Sequence, residues 1–385
     1  MQNNESRQVI AAIVLSCAGV FMVFGMPSFV FGLIDILKFS QSQANLISSA
    51  EIAGMALSSL LSILWIGRFN WRKVALFALL AIVLGNLIST YITDFQLLVG
   101  IRFLTGLVGH GTAFALGIAA IGSTSEPDKN FGFTIASQVV MGALTLFFAP
   151  KLIAVYGIAG MCFPAAILAC VAMTLTSKLA QSGGGQAHGG DENQTTGLSF
   201  FGKYGLPIAG LLVMIAWQMG VGPFFNNLFP FGISINLDPS EIGTALFLST
   251  GLSIIGPLSA SALASKVKRG IPVCLALAVQ LLVVLSFQGE MTWAGFAIRA
   301  ILFQTAWNFT GPFLMGMIAT MDNTGRFSAL IPASQLGGIA IGQAIIASLV
   351  QGNNLALINY FCAIVPLFFW TNHRCNIKAI GQRPV

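Results

Sequence analysis

Ten stretches of this chain, each twenty residues or more, contain no Asp, Glu, Lys or Arg: 8–34, 74–93, 103–125, 130–150, 152–177, 204–237, 242–265, 270–289, 300–321 and 327–373. A helix needs only ~20 apolar residues to cross the hydrocarbon of a bilayer. Composition agrees, with 56% hydrophobic and 8% charged residues where soluble domains carry roughly 25% charged. Mean hydropathy is +0.85. The fold class expected is an all-α integral membrane protein. The last stretch holds two helices, broken at Gln351-Gly352-Asn353-Asn354, and a helix through Ile52 to Ile66 brings the expected count to about twelve. Arg102 and Arg299 then fall inside helices. Residues 1–7 are polar, and the 27-residue apolar run that follows exceeds a signal peptide's core, so it reads as the first helix.

The basic residues set the orientation. With a cytoplasmic N-terminus, Arg7, Arg68, Arg72, Lys73, Lys129, Lys178, Lys203, Lys266, Lys268, Arg269, Arg326, Arg374, Lys378 and Arg383 fall on the cytoplasmic side, and only Lys38 and Lys151 fall outside. This bias places both termini in the cytoplasm, with a bacterial inner membrane as the expected location. It also accounts for the net charge of +6 without any affinity for nucleic acid. Cys17, Cys162, Cys170, Cys274 and Cys362 lie in apolar segments and Cys375 in the tail, with no C-x-x-C pair. They read as small hydrophobes, so no metal and no cofactor is expected. His188 and His373 stand in polar segments and read as solvated.

The chain is organised as a duplication. Residues 181–199, QSGGGQAHGGDENQTTGLS, form a Gly-rich polar linker between a first half, 1–180, and a second, 200–385. An offset of 197 aligns Arg72 with Arg269, Ile101-Arg102 with Ile298-Arg299, Lys129 with Arg326, and Ala136-Ser137-Gln138 with Ala333-Ser334-Gln335. An offset of 196 brings Pro27 onto Pro223. One register held from helix 2 to helix 11 indicates two homologous six-helix halves, and parallel halves around a central path mark a secondary transporter.

With its twelve spans in two halves, its basic loops GRFNWRKVAL and ASKVKRGIPV, and its helix 4 pattern Arg102-x-x-x-Gly106-x-x-Gly109, the chain resembles the major facilitator superfamily over nearly its whole length. It departs from the family pattern in two places. Neither loop contains Asp, and the Gly-Pro pair that antiporters of the family often carry in helix 5 stands here as Ala149-Pro150. The resemblance implies two six-helix bundles around a central cavity lined by helices 1, 4, 7 and 10.

Both arginines that fall inside helices are on those four. Arg102 and Arg299 sit at similar depth, either tying helices together or gripping a carboxylate or phosphate with two bonds. Glu51 lies about two turns into helix 2, at the depth of Arg102. It is read either as a structural partner of Arg102 or as a proton carrier, since burial disfavours its charge while an arginine favours it. Asp35, at the outer end of helix 1, is the second proton-coupling candidate. His110 lies eight residues beyond Arg102, about 80° round the helix, and is read as a hydrogen-bonded neutral ring, a proton relay or a substrate contact. Gly106, Gly109 and Gly111 serve close packing.

FGMPSFVFG and MGVGPFFNNLFPFG place Pro27 and Pro223 among glycines at matching points, which makes them the gating candidates. Trp217, Gln218, Asn226 and Asn227 flank the helix 7 bend, and Trp307 and Asn308 occupy the position in helix 10 that matches His110. Rings and amides together hold a partly apolar organic molecule. Gln138 and Gln335 are read as hydrogen bonds across helices.

An enzyme is not expected, because the chain has no H-E-x-x-H, no G-x-S-x-G and only one His within an apolar span. The function expected is proton-coupled secondary transport of a small organic solute by a monomer whose other partners are protons and membrane lipid. The favoured solute is an organic anion or zwitterion. The alternative is a proton antiporter exporting drugs or amphiphiles, and a non-transporting receptor or an intramembrane enzyme is the more distant one.

Overall fold

The computed structural model describes residues 2–124, 127–181, 197–263, 270–321, 330–349 and 357–364. The 182–196 stretch, His188, Lys266, Lys268, Arg269, Asp322, Arg326, the 351–354 break, His373, Arg374, Cys375, Lys378 and Arg383 lie outside them, as do the side chains of Lys129 and Lys203. Among the described residues every regular element is helical. The helices are α1 (Gln2–Asp35), α2 (Gln41–Trp65), α3 (Trp71–Ser89), α4 (Phe95–Gly122), α5 (Pro127–Tyr156), α6 (Ala159–Leu175) and α7 (Gly197–Asn226), which continues after a break as Leu228–Ser234. Then come α8 (Pro239–Ala260), α9 (Gly270–Ser286), α10 (Trp293–Met321), α11 (Ile331–Leu349) and a last helical segment, 357–364. Nine of the described helices are long and apolar enough to cross a membrane. The stretch Ile271–Ser286 is a shorter apolar helix, and α10 and 357–364 are helical where the sequence analysis expects its tenth and twelfth spans.

Short polar motifs start the helices, because the first turn leaves backbone donors without partners. Ser40 and Gln43 form a reciprocal capping box at α2, and Asp238 and Glu241 do the same at α8. Asn70 caps α3, and Asp94 accepts from the Leu97 amide at 2.8 Å to cap α4. Three of the chain's few acids are therefore occupied by helix ends. The α1–α2 and α7–α8 turns match: Lys38 (φ 57°) and Asn236 (φ 61°), 198 residues apart, both take the left-handed backbone conformation.

Helices α1 to α6 pack around one another, with α1 against α4, α5 and α6, and α3 against α6. The C-terminal helices join them through α2 against α11 and α5 against α8. We call the end of the bundle away from the N-terminus distal. The hydrogen bonds that cross between the two sets of helices, among the described residues, lie toward that end. Gln41 donates to Asn227, Ser42 to the Ala347 carbonyl, Gln343 to Asn45, Ser49 to the Ala340 carbonyl at 2.8 Å, and Asn226 to Ser48 at 3.5 Å. Positions 41, 42, 45, 48 and 49 form one stripe of α2, as the helical period requires. Phe31 stacks on Phe229 at 4.5 Å beside them. Beyond Gly54 the same helix exposes Leu57, Leu60, Leu61, Ile63 and Leu64. The distal end is closed by a polar seam.

Candidate functional site

The opening of a site inside α1–α6 begins with glycine. A Cβ at Gly106 of α4 would collide with the Glu51 carbonyl oxygen, and one at Gly54 of α2 with the Phe103 carbonyl oxygen and the Leu107 amide. Without those atoms the two backbones approach closely. Glu51 and Arg102 therefore meet across them.

The Glu51 carboxylate accepts two bonds from Arg102, from Nε to Oε2 at 3.1 Å and from Nη2 to Oε1. Arg102 Nη1 donates to Asn86 Oδ1 at 3.0 Å and to the Ser89 hydroxyl at 3.3 Å, both from α3. The Phe29 ring of α1 lies 5.2 Å from the guanidinium carbon. His110 completes the group: its Nδ1 is 3.0 Å from the Ala18 carbonyl oxygen, its Nε2 is 3.3 Å from Asn86 Nδ2, and the same Nε2 is 3.8 Å from Glu51 Oε1. Glu51, Asn86, Arg102 and His110 are each 0% exposed. Between Arg102 and Gly111 the helix widens into a π turn, Thr105–His110, with the Gly111 amide donating to the Gly106 carbonyl. Such turns are rare and concentrate at functional sites.

Energetics make this cluster informative. Taking two charges out of water costs several kcal/mol each, and apolar residues of similar volume would serve stability at least as well. A fully buried pair bearing extra hydrogen bonds is therefore the candidate site of this chain.

The C-terminal helices repeat the arginine–serine contact without the carboxylate, the amide or the imidazole. Arg299 Nε donates to Ser286 at 3.0 Å, which is the Ser89–Arg102 contact displaced by 197 residues. Positions 51, 86 and 110 correspond at that offset to Leu248, Val283 and Trp307. Arg299 is half-buried, its other contact being Met291 Sδ at 4.0 Å. Aromatic rings fill the space instead: Phe224 lies 4.5 Å from Phe303 and 5.1 Å from Phe287, and Trp307 lies 5.4 Å from Phe225. Arg102 and Arg299 thus occupy separate sets of helices and make no common contact.

The other residues singled out in the sequence fall into distinct places. Trp217 Nε1 donates to Gln280 at 3.1 Å, and Asn308 donates to Ser253 at 2.7 Å, so both hold C-terminal helices together. Gln218 is buried beside Gly338. Trp307 is half-buried. Asn226 and Asn227 belong to the distal seam, with Asn227 donating back to the Pro223 carbonyl at 2.8 Å. Pro27 lies within continuous α1, whereas Pro223 lies four residues before the break in α7. Asp35 is exposed, with Lys38 at 3.8 Å. Gln138 donates to Ser16 at 2.6 Å, and Gln335 reaches Met315 Sδ at 4.0 Å. No group of three or more metal-binding side chains occurs among the described residues.

Sequence reading passed over Asn86, Ser89 and the α2 stripe. Each had a signal: Asn86 is an amide in an otherwise apolar span, with Ser89 one turn on, and the stripe recurs at helical spacing.

The fold has many solved relatives. A D-xylose-proton symporter aligns over 94% of this chain and 97% of its own, at 14% identity and a TM-score of 0.75. The nucleoside transporter NupG aligns over 99% and 100% at 12% identity and 0.71. The xylose transporter XylE from E. coli, in a partially occluded inward open conformation, aligns over 96% and 98% at 12% identity and 0.73. No curated protein matches the sequence. The family model of the Major Facilitator Superfamily matches residues 11–343. Matched over most of its length by that model, the chain, an integral multi-pass membrane protein and a transporter rather than an enzyme, belongs to the Major Facilitator Superfamily.

Proposed function

We propose that the chain is a proton-coupled secondary transporter that moves a small organic solute by alternating access, with Glu51 as the proton-carrying group and Arg102 as its counter-ion. The observation that carries this reading is the fully buried Glu51–Arg102 pair and its extension to Asn86 and His110. Protonating Glu51 would cancel one of the two buried charges and release Arg102, which gives the two states of the carrier different packing. The chain's halves, 1–180 and 200–385, are the rigid parts of the cycle. The positive-inside bias puts both termini in the cytoplasm of a bacterial inner membrane, so the closed distal seam is an outer gate and the state is inward-facing. The working unit is a monomer.

The solute class we favour is an organic anion or zwitterion. Arg299 has no acidic partner among the described residues, while a lipophilic cation would find the buried carboxylate already held by Arg102. Export of drugs or amphiphiles is the second reading, and the ring cluster around Phe303 and Trp307 favours it.

Flux into proteoliposomes under an imposed pH gradient tests the coupling, with an unbiased panel of organic anions, zwitterions and lipophilic cations as solutes. Glu51→Gln should abolish gradient-driven accumulation while the protein stays folded, and unchanged accumulation would reject the proposal. Arg299→Lys should weaken binding of an anionic solute several-fold, because a point charge replaces a two-pronged donor. Equal affinity would remove Arg299 from the site.

A further inference from the structure

The hydrogen bonds around Asn86 run in one direction only. Its Oδ1 accepts from Arg102 at 3.0 Å, and a guanidinium has nothing but donors. Its Nδ2 donates to the Ile82 carbonyl at 2.8 Å, and a carbonyl has nothing but acceptors. Two partners on two different helices thus fix the amide's orientation. The same Nδ2 lies 3.3 Å from His110 Nε2. An amide nitrogen cannot accept, so Nε2 presents its lone pair to it. The ring proton must then sit on Nδ1, where the Ala18 carbonyl oxygen receives it at 3.0 Å.

We infer that Asn86 is a positioning residue that locks His110 as the neutral Nδ1–H tautomer and so keeps the coupling proton on Glu51. The second part rests on the reading of Glu51 as the proton carrier, and the first does not. Glu51 Oε1 is 3.8 Å from His110 Nε2, which makes the imidazole a base beside that carboxyl oxygen. If Nε2 were free, the O–H bond of a protonated Glu51 could break as an N–H bond forms, leaving a carboxylate beside Arg102 and an imidazolium beside Asn86. That transfer needs no further reactant. In the structure, however, Nε2 already receives the Asn86 donor, and turning the amide over to expose it would aim Nδ2 at Arg102, donor against donor.

The groups facing the ring on each side are few. Helix α2 contributes Glu51, α4 contributes Arg102, α3 contributes Asn86 and α1 contributes the backbone of Ala18 and Gly19. Cys162 of α6 lies within electrostatic reach of the Glu51–Arg102 pair. At the repeat offset Asn86 becomes Val283 and His110 becomes Trp307, so the lock belongs to one half alone.

Ring nitrogen chemical shifts of the full chain labelled with ¹⁵N-histidine in lipid report the tautomer without any flux measurement, with His110 assigned by the signal lost in His110→Gln. The wild-type ring should show the neutral Nδ1–H pattern from about pH 5 to 8, where a free histidine would titrate. Asn86→Asp offers Nε2 an acceptor instead of a donor and should convert the ring to the Nε2–H or doubly protonated form. Proton-driven flux in that variant should gain an inflection between about pH 5 and 8, which the Asn86→Asp/His110→Gln double variant loses. Should Asn86→Asp not fold, Asn86→Ala should mix the tautomers. A wild-type ring protonated on Nε2, or variants that keep the wild-type pattern, would overturn the lock. A locked ring whose release adds no inflection would overturn its role in coupling, and a Glu51→Gln protein that still accumulates solute would overturn the proton reading instead.

Discussion

At Ser89 and Ser286 the two halves of this transporter make the same contact, a serine hydroxyl receiving an arginine from the fourth helix of its half. Around that shared bond they diverge. In the N-terminal half the arginine is wholly buried with a carboxylate, an amide and an imidazole, and its helix is widened by a π turn. In the C-terminal half α10 is α-helical from Trp293 to Met321, and the positions matching the carboxylate, the amide and the imidazole hold Leu248, Val283 and Trp307. The two sets of helices share this anchor at an offset of 197, but one surrounds its arginine with a carboxylate, an amide and an imidazole and the other with apolar side chains. The lesson is that a shared serine–arginine anchor leaves both the helix geometry and the chemistry around it free to differ.

The comparison predicts unequal costs for equal substitutions. Arg102→Ala leaves Glu51 buried without its partner and should destabilise the protein by about 3–5 kcal/mol. Arg299→Ala loses little more than its bond to Ser286, about 1–2 kcal/mol. Unfolding of the two purified variants in the same detergent measures both, and equal losses would erase the distinction between the halves.

Glycine offers a second contrast at the same offset. Gly54 and Gly251 correspond, yet a Cβ at Gly54 meets backbone of α4 while one at Gly251 meets nothing within 4 Å. Gly54→Ala should cost about 1–3 kcal/mol through forced separation of α2 and α4, and it should weaken coupling with it. Gly251→Ala should be neutral or stabilise by up to about 1 kcal/mol, as alanine does in a helix. A tolerated Gly54→Ala would mean that the close approach is not what places Glu51.

In the proposed cycle the distal seam is where the two sets of helices part. Asn45→Val leaves Gln343 without its buried acceptor, which should shift the closed state toward opening by about 1–3 kcal/mol. Spin labels on the exposed turns at positions 38 and 236 should then report a larger long-distance population. An unchanged distance distribution would place the gate elsewhere.

The smallest effects concern the matched prolines. Pro223 precedes the break in α7, whereas Pro27 sits in an unbroken α1. Restoring a backbone donor at each should slow turnover a few-fold in Pro223→Ala and less in Pro27→Ala, with solute affinity nearly unchanged. Turnover and binding measured on one preparation check this, and wild-type turnover in the double variant would make both prolines static kinks.

How much of this was legible before folding is a question about range. Charge-free stretches of twenty residues or more, basic residues gathered on one side and an internal offset of 197 are properties of the chain itself, and the bilayer converts the first directly into helices. The membrane class and the transporter reading followed from those patterns, and the depth of Glu51 in its helix made a partnership with Arg102 one of its two readings. Asn86 did not, because an amide in an apolar span is silent until a guanidinium and an imidazole approach it from another helix. Nor did the full burial of Arg102 beside Glu51: the sequence shows Leu248 where the other half has Glu51, but the contact itself needs Gly54 and Gly106 to let two backbones close together. Helix formation is local and set by composition, so the sequence determined it. Which polar group meets which depends on ångström-scale approach between helices far apart in the chain, and only the tertiary structure decided that.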